Sequence, residues 1–273
     1  MQAVGYAGRY ANSSFRRCIM EKNIINYYNH YEEDGRLFRN YSHQVEWLTT
    51  MYYFNRVLPP HSRIFDGCAG TGNYAFELAR RGNAVIASDI VPRNVDIMRQ
   101  KQMQKPLLDD IFVGDICEMN PYEDHSFDVV LCMGAFYHLE EKARNMALEQ
   151  CLRLLKKNGV LVISYINFMA ALHLNLNVKL ENMGDVLKFY STRGENDPFT
   201  YLLPEEIEKT AHDHQLKILH HLTSDGTAYM RGEQLNNLTK ESFDQYMKLH
   251  LETCEYKYIL GYGLHGLIIL TAS

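Results

Sequence analysis

Long apolar runs are missing from this chain of 273 residues. No stretch approaches the roughly 18 consecutive apolar residues that a membrane-crossing helix needs, and the mean hydropathy is −0.31. No surplus of basic charge exists either. Lysine and arginine number 28 against 33 aspartates and glutamates, a net charge of −5. That balance argues against a surface built to coat nucleic acid, though one local basic patch stays open. Cys-x-x-Cys pairs are absent. The six cysteines (Cys18, Cys68, Cys117, Cys132, Cys151 and Cys254) include several inside apolar runs such as Val129-Val130-Leu131-Cys132. They read as buried thiols in a reducing compartment. The start, Met1-Gln2-Ala3-Val4-Gly5-Tyr6, lacks a charged-then-apolar signal pattern, so the expected location is cytoplasmic, with no membrane partner. Repeats and low-complexity segments are lacking as well. With 46% hydrophobic and 12% aromatic residues spread along the chain, disorder is excluded. The length suits one large domain, or one domain with a sizeable insertion.

What is present divides at Pro59-Pro60. Residues 1–19 lack periodicity and read as a loose leader. Residues 20–58 read as an N-terminal helical cap rich in tyrosine, broken into two helices at Asp34-Gly35. After the prolines, short apolar runs alternate with amphipathic helices. Strands are predicted at 63–66, 84–89, 111–113, 127–133 and 160–165. Helices are predicted at 74–81 and after Pro92, and another carries Ala143, Ala147, Cys151 and Leu155 before Asn158-Gly159 ends it. This alternation implies right-handed βαβ units, a parallel sheet and helices on both faces: an α/β, Rossmann-like, doubly wound fold. Beyond Asn167 the rhythm lapses. Helices are expected at 168–190, 205–214 and 231–260, and strands at 216–222 and 265–272. The pieces at about 168–200 and 227–262 read as lid insertions.

In an open parallel sheet, ligands bind beyond the carboxyl ends of the strands. The first strand ends in Asp66-Gly67-Cys68-Ala69-Gly70-Thr71-Gly72, where glycines permit a tight turn and close approach of a ligand. The second ends in Asp89, which can accept both hydroxyls of a ribose. The third ends near Asp115-Ile116. Gly70-Thr71-Gly72-Asn73-Tyr74-Ala75 also matches the dinucleotide pattern G-x-G-x-x-A. Asp66 argues against that ligand, because a carboxylate there repels a pyrophosphate and attracts an ammonium and a sulfonium. S-adenosylmethionine carries ribose, adenine, ammonium and sulfonium together. A nicotinamide-dependent oxidoreductase is the alternative enzyme, and a catalytically inactive cofactor-binding regulator the alternative outside catalysis.

Residues 62–167 resemble a class I S-adenosylmethionine-dependent methyltransferase, of the small bacterial type whose substrates are mostly unassigned. The resemblance rests on Asp66–Gly72, Asp89, Asp115, Gly134-Ala-Phe-Tyr-His-Leu139 and Leu155-Lys-Lys-Asn-Gly159, together with Asp34-Gly35-Arg36-Leu37 and Gln44-Val45-Glu46 near the start. It implies a methyltransferase domain over 59–273 and seven strands with the last antiparallel. It also implies S-adenosylmethionine as cofactor, S-adenosylhomocysteine as product, and methyl transfer to a small-molecule oxygen, nitrogen or sulfur. The implied cofactor residues are Asp66, Gly67, Ala69, Gly70, Thr71, Gly72, Asp89, Ile90, Asp115, Ile116, Met133 and Gly134. One position departs from the pattern: Cys68 stands where the family usually has glycine.

His138 lies where a substrate-side base could sit, although a loop-closing hydrogen bond is the plainer reading. Tyr27, Tyr28 and Tyr31 share a helical face and read either as an aromatic wall for substrate or as packing. Tyr137 belongs to the same set, and Arg36 is a candidate for the cofactor's carboxylate or a solvated helix end. His212-Asp213-His214 and His220-His221 suggest no metal site, because neighbouring strand residues point to opposite faces. The expected partners are a small-molecule acceptor and no nucleic acid.

Overall fold

The computed structural model describes residues 23–118, 121–195 and 197–272. The expected leader, 1–19, and the first residues of the cap lie outside them. A helix, α1, is described over 23–30, and a 3-10 turn, Arg36–Phe38, precedes α2 (Tyr41–Val57). The order is then β1 (Arg63–Asp66), α3 (Asn73–Arg80), β2 (Ala84–Asp89), α4 (Pro92–Gln104), β3 (Asp110–Val113), β4 (Phe127–Cys132), α5 (Glu141–Leu154) and β5 (Leu155–Ile166). Helices α6 (Phe168–Lys179), α7 (Met183–Thr192) and α8 (Pro204–Asp213) lead to β6 (Lys217–Thr223). Helices α9 (Gly232–Asn236), α10 (Lys240–Thr253) and α11 (Lys257–Leu260) lead to β7 (His265–Thr271).

The seven strands lie in the order β3-β2-β1-β4-β5-β7-β6. β7 runs antiparallel to both neighbours, and the other six run parallel. This is the expected architecture, including the antiparallel last strand. The strands alternate between two cores. Phe65, Val130 and Leu161 face α5 and α8, while Ile64, Val129, Leu131 and Val162 face α2, α3 and α4. Burial on both faces explains why the central strands read as near-continuous apolar runs. The order turns back between β1 and β4, which opens the crevice that ligands of such sheets occupy.

Several boundaries differ from the expectation. The helix after β4 stops at Leu154, not at Asn158-Gly159. Those residues lie within β5, where Asn158 takes φ 59 and the pairing with β4 shifts register. Residues 168–190 form two helices, and 231–260 form three. Within the cap, α2 buries Met51, Tyr53 and Phe54 in the sheet core. Its Val45 packs with Phe243 and Met247 of α10, so α2 and α10 support one another.

Asn167, fully buried, fixes the end of β5. Its side-chain oxygen accepts from the Met169 N–H at 3.1 Å, capping α6. Its amide donates to the carbonyls of Leu260 and Gly263 at 2.8 and 3.0 Å, just before β7 begins. Replacing Asn167 by alanine leaves two buried carbonyls and one N–H unpaired. We expect Asn167→Ala to lower the unfolding free energy by about 2–4 kcal/mol in urea titrations. A loss below about 1 kcal/mol would show that these bonds are not what holds the start of β7.

Candidate cofactor and acceptor site

The ligand edge is built by four strand ends. A cavity of about 630 Å³ opens there, lined by Gly67, Gly70, Asp89, Ile90, Asp115, Ile116, Met133 and Gly134 among others. A smaller and more polar cavity, about 60 Å³, continues beneath it. Asp66, Ala69 and Thr71 line that one, with Gly70 and Met133 among the residues shared between the two. Eleven of the twelve expected cofactor residues therefore meet at one edge. Gly72 does not: it is the left-handed N-cap of α3 (φ 85), and its missing side chain leaves room for Phe76 and Met98.

The glycine turn is shaped by sterics. Gly70 takes φ 56, a conformation that disfavours side chains. A Cβ on Gly67 would lie 2.4 Å from Ile116 Cδ1. Cys68 has no positive φ, so the departure from glycine at that position costs no backbone strain. Its thiol is pushed up by a hydrogen bond to Cys132 and by burial, and therefore stays protonated.

Asp89 is anchored by three donors. The Gly70 N–H reaches Oδ2 at 2.8 Å, and the Val91 N–H and Asn94 amide reach Oδ1 at 2.9 and 3.2 Å. Burial raises its carboxyl, and these donors oppose the rise. Asp66, 2% exposed, lacks such support. Burial and the nearby Asp89 charge raise its carboxyl to about 7, against one opposing backbone hydrogen bond from Cys68. Asp115 accepts from the Cys117 N–H at 2.8 Å at the end of β3.

Beside the small cavity, Arg36 makes a bidentate pair with Glu46 (2.6 and 2.9 Å) and a further bond to Glu33 at 3.1 Å. Burial alone would raise the Glu46 carboxyl, but Arg36 and His265 hold it down to about 2. Sequence reasoning proposed Arg36 without its two carboxylates. Glu46, the one acid in α2, was the available signal. Three hydroxyls in this wall, those of Thr50, Thr71 and Tyr74, are buried without a well-formed hydrogen bond in the chain. An orphaned buried hydroxyl costs on the order of 1–3 kcal/mol unless a ligand supplies a partner.

The remaining expected residues separate. Tyr28 and Tyr137 line the large cavity. Tyr27 and Tyr31 do not; they stack on one another, and Tyr27 meets Phe199 edge-on. His138 is engaged at both ring nitrogens. Nδ1 donates to the Pro198 carbonyl at 2.9 Å, and Nε2 lies 3.1 Å from the Tyr28 hydroxyl. Burial lowers its imidazole to about 4. In this arrangement it closes the loop and has no free lone pair to serve as a base. The histidine pairs at 212–214 and 220–221 stay apart from the crevice, and among the described residues no cluster of three metal-ligating side chains occurs. No helix among those residues is long and apolar enough to cross a membrane.

Residues 65–163 match the family described as "Methyltransferase domain". A demethylmenaquinone methyltransferase from Deinococcus radiodurans is 36% identical over 103 residues, 37% of this chain and 42% of the relative. A ubiquinone biosynthesis O-methyltransferase from Xanthomonas campestris pv. campestris is 29% identical over 125 residues, 46% of this chain and 52% of the relative. The chain thus spans about half the length of the curated relatives it matches. Its fold resembles that of magnesium protoporphyrin IX methyltransferase from Synechocystis PCC 6803, solved with bound S-adenosylhomocysteine. The TM-score is 0.54 at 14% identity, covering 85% of this chain and 83% of that one.

The buried Asp66 carboxyl gives the ligand-free protein a defined pH dependence. The folded state holds a proton that the unfolded chain releases near pH 4, so this group lowers stability progressively as pH rises from about 4 to about 7. Asp66→Asn should therefore be stabilising by about 4 kcal/mol at pH 8 and close to neutral at pH 4, measured by urea unfolding without ligand. An equal effect at both pH values would mean that this carboxyl does not titrate in that window.

Proposed function

We propose that this chain, whose residues 65–163 are a class I S-adenosylmethionine-dependent methyltransferase domain, transfers a methyl group from S-adenosylmethionine to an oxygen, nitrogen or sulfur of a small molecule. The observation that carries the reading is the pair of buried carboxylates, Asp66 and Asp89, flanking the glycine turn beside the buried, unpaired Thr71 hydroxyl. The donor set fits the cofactor. Asp89, held by two N–H groups at Oδ1 and one at Oδ2, retains a lone pair on Oδ2 for a ribose hydroxyl. Asp66 suits the ammonium, and a cation beside it would restore its charged form. Arg36 keeps N–H groups beyond those given to Glu33 and Glu46, and with Thr71 these could receive the carboxylate. Asp115 and the apolar side chains of Ile90, Ile116, Ala143 and Met146 suit an adenine. Bound there, S-adenosylmethionine supplies an electrophilic methyl on a sulfonium, which departs as a neutral thioether.

What the protein adds is mainly position and dryness. In-line placement of nucleophile, methyl and sulfur is the principal demand of methyl transfer, and strand-borne groups meet it more tightly than loops do. The cover in this reading is α1 with the segment through Gly35. Ile24, Tyr28 and Glu33 line the cavity from that segment. Arg93 at the start of α4 donates to the carbonyls of Tyr28, Asn29 and Tyr31, satisfying the end of α1. Helix α2 belongs to the core and stays in place. The acceptor is a small molecule in this reading, and the acidic overall balance speaks against a nucleic acid.

Asp89→Ala should weaken S-adenosylhomocysteine binding by about 1–3 kcal/mol in calorimetry; an unchanged affinity in the folded variant would remove Asp89 from the site. Amide exchange should slow across 23–35 when S-adenosylhomocysteine is added, with little change in α2. Protection confined to 67–72, 89 and 115 would rule out α1 as the cover.

A further inference from the structure

The ligand edge of the sheet holds one acid–base pair that the reading above leaves unused, its acid buried and its imidazole partly exposed. β7 runs antiparallel, so its first residue, His265, lies at the edge where the parallel strands end. Its Nδ1 donates to Asp225 Oδ2 at 2.9 Å, and its backbone N–H donates to Asp225 Oδ1 at 3.1 Å. The Thr223 hydroxyl donates to the same Oδ1 at 3.1 Å and itself accepts from the Gly226 N–H at 2.9 Å. Asp225 is 5% exposed and held from three directions. The pairing fixes the Nδ1–H tautomer and leaves the Nε2 lone pair free. The imidazole lines the polar cavity that also contains Asp66, Tyr137 and Ser164.

We infer that His265, positioned by Asp225, is the general base that receives the proton of the methyl acceptor, an inference that rests on the methyl-transfer reading above. As the acceptor's lone pair forms its bond to the methyl carbon, the carbon–sulfur bond breaks with its electron pair going to sulfur, and the acceptor's proton passes to Nε2. The acceptor class is therefore one whose nucleophilic atom carries both a lone pair and a proton (a hydroxyl, a thiol, or a neutral primary or secondary amine), not a tertiary amine or a thioether. The surroundings suit the task. Glu46 of α2 lies 3.7 Å from Nδ1, and Arg36 from the 3-10 turn, His43 from α2 and Asp225 from the loop after β6 also act on it or with it. Burial alone would lower the imidazole, but Glu46 and Asp225 raise it above its ordinary value. His138, with both nitrogens occupied, offers no such lone pair.

The test needs no known acceptor. S-adenosylmethionine carries a sulfonium and S-adenosylhomocysteine a neutral sulfur, so a protonated His265 beside the methyl centre should weaken only the former. The ratio of their Kd values, measured by calorimetry from pH 5.5 to 8.5, should rise about threefold or more towards low pH and become flat in His265→Gln. In parallel, nitrogen-15 spectra of histidine-labelled protein should show His265 unprotonated at Nε2 above its titration, with its midpoint falling in Asp225→Asn. A ratio independent of pH, or the same rise in His265→Gln, would overturn the assignment, as would an Nε2-protonated tautomer. If neither ligand binds the unaltered protein, the methyl-transfer reading itself fails, which is a distinguishable result.

Discussion

Two carboxylates buried at the ends of adjacent parallel strands are the constraint to which the rest of the site answers. Sheets covered on both faces expose only their strand ends, so Asp66 and Asp89 meet at the crevice with little water to screen them. Asp89 is supported by three N–H donors; Asp66 is left with its carboxyl raised to about 7. A site in that condition favours a cation and disfavours a pyrophosphate. The same glycine turn could serve either ligand, and the carboxylate beside it makes the choice.

The second layer of organisation is the Glu33–Arg36–Glu46 cluster. It sits where the segment before α2 meets that helix, and its three ionic groups hold this short segment against the turn that contains Gly70. Lys101 adds another tie, pairing with Asp34 and donating to the Thr71 carbonyl at 2.9 Å. Removing one partner of such a buried cluster would strand the others as uncompensated charge. Helix α1 and the segment through Gly35 are thus attached at their base by charge and at the end of α1 by Arg93. Between those points it rests mainly on aromatic contacts.

Much of this was legible in the sequence, and for a physical reason. Parallel strands buried on both faces must be apolar and must end in polar residues at the ligand edge, so β1, β2 and β4 and the residues at their ends could be read directly. The antiparallel last strand came with the family resemblance. The exceptions share a cause. Asn158-Gly159 carries a helix-stop signal, but the chain had already left α5, and the signal was satisfied by a left-handed residue inside β5. His138 and His265 are both single histidines in apolar surroundings, and only tertiary structure separates them. One is closed off by Pro198 and Tyr28; the other is oriented by Asp225, 40 positions away. Pairings over such separations leave no local pattern, and neither does the split of the tyrosines into lining and packing residues.

The most direct test of the central claim is calorimetric titration of the unaltered protein with S-adenosylhomocysteine and, separately, with NAD. Carboxylates at the ends of β1 and β2 that select a cationic cofactor's scaffold predict saturable binding of about one S-adenosylhomocysteine per chain and no measurable heat with NAD. Tight binding of NAD, with S-adenosylhomocysteine failing to bind, would contradict the account.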